Sequence, residues 1–242
     1  AGNTARAFAQ VCSDNDIPVV ICIPEDSKHD LWFRRRIREC VKVVAVPHGC
    51  DYYDAITVGE KLARDPRFFL EGGAKNVARR DGMGTTLLSF AELTGRIPDA
   101  YFQAVGSGTG AIAAWENAQR LEEDGRFGDN NMHVYVGQNT PFTLIADSWK
   151  ASSRELVALD PDTGRRNAEM ILAKVLANRK PPYSLAGGLF DVLSASKGDC
   201  LTCSNDELLY SMLLFRNLEG YDLLPAACCA VSSLLKAVQS GL

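Results

Sequence analysis

Residues 100–112 read Ala-Tyr-Phe-Gln-Ala-Val-Gly-Ser-Gly-Thr-Gly-Ala-Ile. The run that ends at Val105 is typical of a buried strand, and the sequence from Gly110 onward is typical of a helix. Glycines at such a junction let backbone N–H groups turn toward an anion, and the helix N-terminus adds a partial positive charge. Residues 106–110, with the hydroxyls of Ser107 and Thr109, are therefore a candidate phosphate-binding loop. A tight turn without a ligand is the alternative.

The same alternation of short apolar runs and longer helical patterns extends in both directions along the chain. Strands are predicted at Val19–Ile23, Val41–Val46, Arg67–Leu70, Ala100–Val105, Met132–Val136 and Leu156–Leu159. Helices are predicted at Thr4–Asn15, His29–Cys40, Tyr52–Asp65, Thr85–Thr94, Gly110–Asp124, Thr140–Ala151, Gly164–Ala177, Asn205–Asn217 and Pro225–Gln239. This alternation predicts an α/β protein with mostly parallel sheets covered by helices on both faces.

A segment rich in Gly, Arg and Asn, residues 72–84, separates the first units from the later ones. We place a domain boundary there, between residues 1–72 and residues 73–242, and expect two three-layer α/β domains. The basic residues between Arg34 and Arg38 are interpreted as the solvated face of a helix.

The overall composition is that of an ordinary globular protein. The 242 residues are 46% hydrophobic and 23% charged, with a net charge of −4. A chain with this charge has no basic field to attract nucleic acid or an anionic membrane. No apolar run is long enough to span a bilayer, and no signal-peptide pattern is present. We therefore expect a cytoplasmic protein with neither nucleic acid nor membrane as a partner.

Most of the eight cysteines stand among apolar residues, where a free thiol behaves as a small hydrophobe. Cys200 and Cys203 have the C-x-x-C spacing of a metal or redox site. No second pair and no nearby histidine accompany them, so both are predicted to pack as small hydrophobes, and no metal is expected.

The kind of phosphate group is indicated by the strand that follows the loop. A dinucleotide site requires an acidic residue at the end of that strand, for the ribose hydroxyls. His133–Val136 is instead followed by Gly137-Gln138-Asn139. Together with Ser107 and Thr109, this favours a cofactor with a single phosphate group over a dinucleotide.

Five stretches, in chain order, resemble the fold-type II pyridoxal-phosphate (PLP) enzymes of the threonine synthase-like type. The opening Ala1-Gly2-Asn3-Thr4 resembles their Ser-Gly-Asn-Thr loop, and Ile97-Pro98-Asp99 precedes the glycine loop as their Pro-Asp does. Arg79–Thr85, Gln138–Trp149 and Glu219–Ala227 resemble three further family segments. The resemblance covers nearly the whole chain and implies the fold of the tryptophan synthase β-subunit.

The resemblance implies PLP as the cofactor and assigns roles to individual residues. Asn3 is expected beside the cofactor ring, where it hydrogen-bonds the 3′ oxygen, although Asn at this position is also a common helix N-cap. Gly2 and Thr4 are expected to meet the substrate carboxylate. The cofactor phosphate is expected at Gly106, Ser107, Gly108, Thr109 and Gly110.

Two parts of the family pattern are expected outside this chain. The Schiff-base lysine normally precedes the Ala1 position, and the Ser or Thr that faces the pyridine nitrogen normally follows Gly241. No residue of the chain is therefore assigned as catalytic, and the chain alone is expected to be inactive. On this view residues 1–72 are the remainder of a smaller N-terminal domain, residues 73–242 are the larger domain with the phosphate loop, and the intact protein is a homo-oligomer.

Two departures from the threonine synthase pattern concern the substrate. Arg6 stands where those enzymes have a small residue, and Gly84 stands where they have a lysine. A guanidinium beside the substrate loop suits a second anion, a substrate phosphate or sulfite, although a surface arginine is an equal alternative. Lys28 and Arg79 or Arg80 are further candidates for that anion.

Within the family, the opening Asn-Thr-Ala-Arg-Ala-Phe and the loop continuing into Ala-Ile-Ala-Ala-Trp resemble the cysteate synthases, methanogen enzymes on a route to coenzyme M. This resemblance implies a β-replacement in which sulfite displaces the phosphate of O-phospho-L-serine to give L-cysteate. Three alternatives remain: a threonine synthase acting on O-phosphohomoserine and water, a nucleotide-dependent Rossmann enzyme, and a non-catalytic descendant that keeps the fold.

Overall fold

A computed structural model describes residues 2–241, which form two compact units, one up to Glu71 and the other from Gly72 onward. The elements of the first unit are α1 (Asn3–Asp14), β1 (Val19–Pro24), β2 (Val41–Val46) and α2 (Tyr52–Leu62). Strands β1 and β2 pair in parallel. Side chains of α1 and both strands form one buried cluster that includes Ala9, Cys12, Ile21, Ile23 and Val41.

The second unit contains three parallel strands and the remaining helices. Its elements are α3 (Val77–Thr94), β3 (Ala100–Ala104), α4 (Thr109–Asp124), β4 (His133–Asn139), α5 (Leu144–Lys150), α6 (Pro161–Met170), α7 (Leu189–Ala195), β5 (Asp199–Cys203), α8 (Asn205–Glu219) and α9 (Pro225–Gln239). The strand order is β3-β4-β5, so β4 is central and bonded on both edges.

Side chains on the two faces of β4 alternate, as the period of two in a strand requires. Val134 and Val136 pack in the main core cluster with Ile112 of α4 and Leu193 of α7. Gly137 faces α9, where an added Cβ would stand 3.0 Å from the carbonyl oxygen of Cys229. Helices therefore cover both faces of a parallel sheet, which confirms the predicted α/β class.

The prediction of a helix at His29–Cys40 is wrong. A short 3-10 helix covers Glu25–Asp30, and no regular element follows until β2. The backbone N–H of Arg38 donates instead to the Ser13 hydroxyl of α1, at 2.8 Å. The side chains of Leu31, Phe33 and Ile37 pack against the core of the first unit. These tertiary contacts outweigh the helical preference of the segment.

Two predicted strands are also absent from the structure. At Arg67–Leu70 the Asp65 carboxylate accepts from the Arg67 backbone N–H at 3.0 Å and also binds its guanidinium, which closes a turn. At Leu156–Leu159 the Val157 N–H donates to the Ser148 hydroxyl at 3.0 Å rather than to a neighbouring strand. In both segments a local side-chain hydrogen bond takes up a backbone N–H group that a strand would use for pairing.

Conversely, β5 and α7 were not predicted. Strand β5 contains both residues of the C-x-x-C pattern, and Cys200 and Cys203 are buried in the sheet. Other bounds differ as well: α3 begins at Val77, eight residues before the predicted start at Thr85, because Asn76 caps it by accepting from the Arg79 N–H at 3.2 Å.

The cysteines of the described residues are free thiols, and the Sγ atoms of Cys203 and Cys229 lie 3.3 Å apart in the core. Within residues 2–241, no group of three or more His, Cys, Asp or Glu side chains is arranged to hold a metal ion. Over the same residues, no helix combines the length and the apolar composition that a membrane crossing requires.

Candidate functional site

The glycine loop joins the end of β3 to the start of α4. The Val105 N–H donates to the Gly137 carbonyl at 2.9 Å, which fixes the loop against β4. Gly108 is the N-cap of α4, with a φ of +79° that favours glycine. Its carbonyl accepts the first helical bond, from Ile112, at 3.0 Å. The loop therefore ends on the N-terminus of a helix, as the sequence predicts.

Hydrogen-bond donors gather at this helix N-terminus. The hydroxyls of Ser107 and Thr109 form a hydrogen bond of 2.9 Å with each other, so the hydroxyl that accepts in this pair keeps its own proton for a ligand. Among residues 2–241, no acceptor is bonded to the backbone N–H groups of Gly106, Ser107 or Gly108. Free N–H donors, two hydroxyls and a helix dipole are the donor set that binds the terminal oxygens of a phosphate group. The residues of the loop thus fit the phosphate of PLP.

The glycines of the loop are required by close neighbours. A Cβ on Gly106 would stand 3.2 Å from the Leu176 carbonyl oxygen, and one on Gly108 would stand 2.8 Å from Cδ2 of Leu189. A Cβ on Gly110 would overlap the side-chain amide of Gln103, at 2.3 Å. Larger residues at these positions would displace the loop or its neighbours.

Asn139, at the end of β4, holds the segment that packs on the loop. Its Oδ1 accepts from the Ala173 N–H at 3.1 Å, and its Nδ2 donates to the Cys203 carbonyl at 3.0 Å. These bonds fix the chain just before Leu176, which contacts Gly106. Sequence reasoning assigned no structural role to Asn139; the signal that marks it is a polar side chain at the carboxyl end of a buried strand.

Gln138 has a comparable internal role. Its Oε1 accepts from the backbone N–H groups of Ile145 and Ala146, at 2.9 and 3.0 Å, and so caps α5 from within the core. Gln138 and Asn139 occupy the position where a dinucleotide enzyme has its ribose-binding acid. Because both amides are used inside the protein, this position offers nothing to a ribose.

In the first unit, Asn3 is the first residue of α1, and Gly2, not Asn3, is the N-cap. The amide oxygen of Asn3 accepts a hydrogen bond from the Arg6 guanidinium. Thr4 is exposed on the same helical turn. The polar groups of residues 2–6 are therefore presented at the N-terminal end of α1, where the helix dipole favours an anion such as a carboxylate.

Arg6 lies over the ring of Trp32, with Cζ 4.1 Å from the ring centroid. Both side chains line an open cleft of about 430 Å³. The lining residues are Asn3, Arg6, Ala7, Gln10, Trp32, Phe33, Arg34 and Arg35. Three of them are arginines and none is acidic, so the cleft suits an anion.

Two of the other cations considered for a substrate anion are engaged elsewhere. Lys28 lies 3.3 Å from the Glu25 carboxylate on an exposed turn. Arg80 pairs with Glu116 at 3.1 Å and donates to the Ala74 carbonyl at 2.8 Å. These contacts favour Arg6 over Lys28 and Arg80.

Gly84 lies where α3 packs on α4. A Cβ on this residue would overlap the buried side chain of Asn117, at 1.8 Å from Nδ2. The two helices therefore approach too closely at this point for a lysine side chain.

Comparison with known proteins identifies the family. A family model described as "Pyridoxal-phosphate dependent enzyme" matches residues 1–242. Among curated proteins, the cysteate synthase of Methanocella paludicola is 45% identical over the whole chain, and that of Methanoregula boonei is 47% identical. The chain spans 57% and 56% of the length of these two relatives.

Solved structures show the same fold at low sequence identity. A threonine deaminase from T.th. matches with a TM-score of 0.71 at 17% identity, covering 99% of this chain and 71% of that one. Serine racemase of Dictyostelium discoideum matches with a TM-score of 0.65 at 15% identity, covering 98% and 68%. These matches confirm the fold-type II architecture, and the family model confirms the cofactor: this chain belongs to the pyridoxal-phosphate dependent enzyme family.

Proposed function

We propose that the full-length protein catalyses a PLP-dependent β-replacement in which O-phospho-L-serine and sulfite give L-cysteate and phosphate. The observation that carries this proposal is the similarity to cysteate synthases, 42–47% identity across the whole chain in each of eight relatives. The cleft at Arg6 supports the proposal, since both the leaving group and the nucleophile are oxyanions.

In the net reaction the C–O bond to the phosphate breaks and a C–S bond to the sulfite sulfur forms at the same β-carbon. A proton is removed from the α-carbon before phosphate leaves and is returned after sulfite adds. When bound, PLP supplies the electron sink that stabilises negative charge at the α-carbon. We assign the base that moves the proton to no residue of this chain.

The residues of this chain bind and orient. We propose that Gly106, Ser107, Gly108, Thr109 and Gly110 hold the cofactor phosphate through backbone N–H groups and hydroxyls. Asn3 donates to the 3′ oxygen of the ring. Gly2 and Thr4 bind the substrate carboxylate at the N-terminus of α1, where the helix dipole lowers the free energy of a bound anion.

Arg6 is proposed to bind the phosphate of the substrate and then the incoming sulfite. A guanidinium offers two parallel N–H donors to an oxyanion, and it is charged at every physiological pH. One cationic site serves both steps because the phosphate leaves before the sulfite enters. This use of a single site is consistent with the absence of acidic residues from the described lining of the cleft.

We propose the following domain organisation and oligomeric state for the intact protein. Residues 1–72 are part of a smaller domain and residues 73–242 part of a larger one that carries the phosphate loop. The protein is a homo-oligomer, which light scattering of the full-length protein would test directly.

The decisive experiment supplies the full-length protein with O-phospho-L-serine, with and without sulfite. Phosphate release and L-cysteate, identified by mass spectrometry, are expected to appear together and only when both substrates are present. O-phosphohomoserine without sulfite is the matched control for the threonine synthase alternative. Release of phosphate and formation of threonine in that control would overturn the proposal.

A further inference from the structure

Trp32 lies in the segment between Asp30 and Cys40 that has no regular secondary structure. Two contacts tie this segment to α1: the Arg38 N–H donates to the Ser13 hydroxyl at 2.8 Å, and Arg35 pairs with Asp14 at 2.7 Å. Trp32 itself is 56% exposed, so burial of its side chain does not account for its position. The ring contacts the guanidinium of Arg6, whose Cζ lies 4.1 Å from the ring centroid.

A guanidinium carries only donors, so the Asn3 atom that it bonds is the amide oxygen and not the amide nitrogen. This bond fixes the orientation of the Asn3 side chain, because the oxygen must face Arg6. The NH₂ group is then directed away from Arg6 and is free to donate. An Asn that donates to the 3′ oxygen of the cofactor needs this orientation, and the flipped amide would present an acceptor to another acceptor.

The contact with Trp32 leaves donors of Arg6 available as well. A cation–π contact uses the electron-rich face of the indole and none of the N–H hydrogen bonds of the guanidinium. One of the five N–H donors of Arg6 binds Asn3, and the others are available at the cleft. The same guanidinium can therefore hold Asn3 and bind an oxyanion.

We propose that Trp32 is a positioning residue: by holding Arg6 against its ring, it fixes the Asn3 amide for the cofactor and orients the Arg6 donors for a tetrahedral or pyramidal oxyanion. This inference rests on the proposed function for two points: the bond from Asn3 to the 3′ oxygen, and the identity of the oxyanion, a substrate phosphate or sulfite. The Arg6 guanidinium would then contact both the oxyanion and Asn3, the residue proposed to bond the cofactor. Anion binding at Arg6 and the electronic state of the cofactor are therefore expected to depend on each other.

The test uses the full-length protein with bound PLP and no substrate, in three variants. Trp32→Leu removes the aromatic face, Trp32→Phe keeps a smaller one, and Arg36→Gln removes a charge from an exposed residue of the same segment that does not line the cleft. Circular dichroism of each variant checks that the fold is kept. Inorganic sulfate is the probe, because it has the oxyanion shape but cannot add to the cofactor as sulfite does.

Two readouts follow from the proposal. In Trp32→Leu, the affinity for sulfate measured by calorimetry is expected to fall about two- to fivefold, the range of a cation–π contact at an exposed site. The midpoint of the pH titration of the visible cofactor band is expected to move to higher pH, because the hydrogen bond from Asn3 stabilises the anionic 3′ oxygen. Trp32→Phe should lie between the wild type and Trp32→Leu, and Arg36→Gln should match the wild type in both readouts.

Three outcomes would overturn the proposal: unchanged readouts in Trp32→Leu, an equal loss in Arg36→Gln, or a loss of sulfate affinity without any shift of the pH midpoint. None of these measurements requires turnover. A protein that fails to make L-cysteate yet shows both effects would refute the proposed reaction while leaving the role of Trp32 in place.

Discussion

The backbone of Leu176 lies against Gly106 so closely that a Cβ on Gly106 would stand 3.2 Å from the Leu176 carbonyl oxygen and 3.3 Å from its Cα. The neighbour is main chain, so it cannot move aside by a change of rotamer. It is also held in place, since Asn139 binds the same segment at Ala173. The geometry of the glycine loop therefore depends on a segment that follows it by some seventy residues in the sequence.

Replacement of Gly106 by Ala in the full-length protein is expected to weaken PLP binding about tenfold, because overpacking of about 1–3 kcal/mol must be relieved by shifting the loop. Titration of the apoprotein with PLP, followed by cofactor absorbance, measures the effect. Gly82→Ala is the matched control, since a Cβ there meets nothing within 4 Å. Equal affinities in the two variants would contradict the proposed role of the Leu176 contact.

Gly108 and Gly125 cap the two ends of α4 with nearly the same φ, +79° and +74°. Gly125→Ala is expected to cost only the left-handed strain, about 1–2 kcal/mol of unfolding free energy. Gly108→Ala adds a clash with Leu189 and should cost about 1–3 kcal/mol more, with a loss of PLP affinity. Urea denaturation and PLP titration measure the two effects, and equal losses of stability would show that Leu189 does not restrict the loop.

Gly84→Ala is expected to destabilise the protein by about 1–3 kcal/mol, because the new methyl group overlaps Asn117 on the facing helix. Asn117→Ala removes the overlapping atoms, so the double variant should recover part of the loss. A double-mutant cycle in urea measures this coupling. Simple additivity of the two changes would contradict the close helix contact that excludes a lysine from position 84.

Gln138→Met is expected to destabilise the protein, since it leaves the buried N–H groups of Ile145 and Ala146 without an acceptor. The cost is about 1–3 kcal/mol for each buried group that loses its partner. Gln138→Glu keeps oxygen acceptors of the same reach and should lose less stability. If thermal and urea unfolding show the same loss in both variants, then packing and not hydrogen bonding explains the role of Gln138.

His48 is expected to titrate above its usual range, because its ring nitrogen bonds the Asp26 carboxylate at 2.5 Å and that hydrogen bond raises the pKa of His48. The protonated ring is favoured in the folded state. Its contribution to stability is therefore complete below the unfolded pKa and is lost as pH rises through the folded pKa. Histidine NMR signals measure the pKa, and Asp26→Asn should return it toward the ordinary value. A pKa that Asp26→Asn leaves unchanged would refute the pair.

The linear sequence was sufficient for the α/β class, for the strands at Val19, Val41, Ala100 and His133, and for the glycine loop between β3 and α4. These features depend on local signals, namely apolar periodicity and glycine at a strand-to-helix junction, which neighbouring residues supply by themselves. The family and its cofactor were likewise predicted from short motifs in a fixed order, and the family model confirms them.

Tertiary structure decided the features that depend on residues far apart in the chain. The segment from Leu31 to Cys40 is not helical because α1 binds its backbone and apolar side chains, and β5 forms because β4 offers a partner for its hydrogen bonds. The stack of Arg6 on Trp32 and the contact of Leu176 with Gly106 also join residues that are far apart in the sequence. Sequence patterns record the preference of each segment, whereas the free energy of packing and of hydrogen bonds between distant segments selects among those preferences.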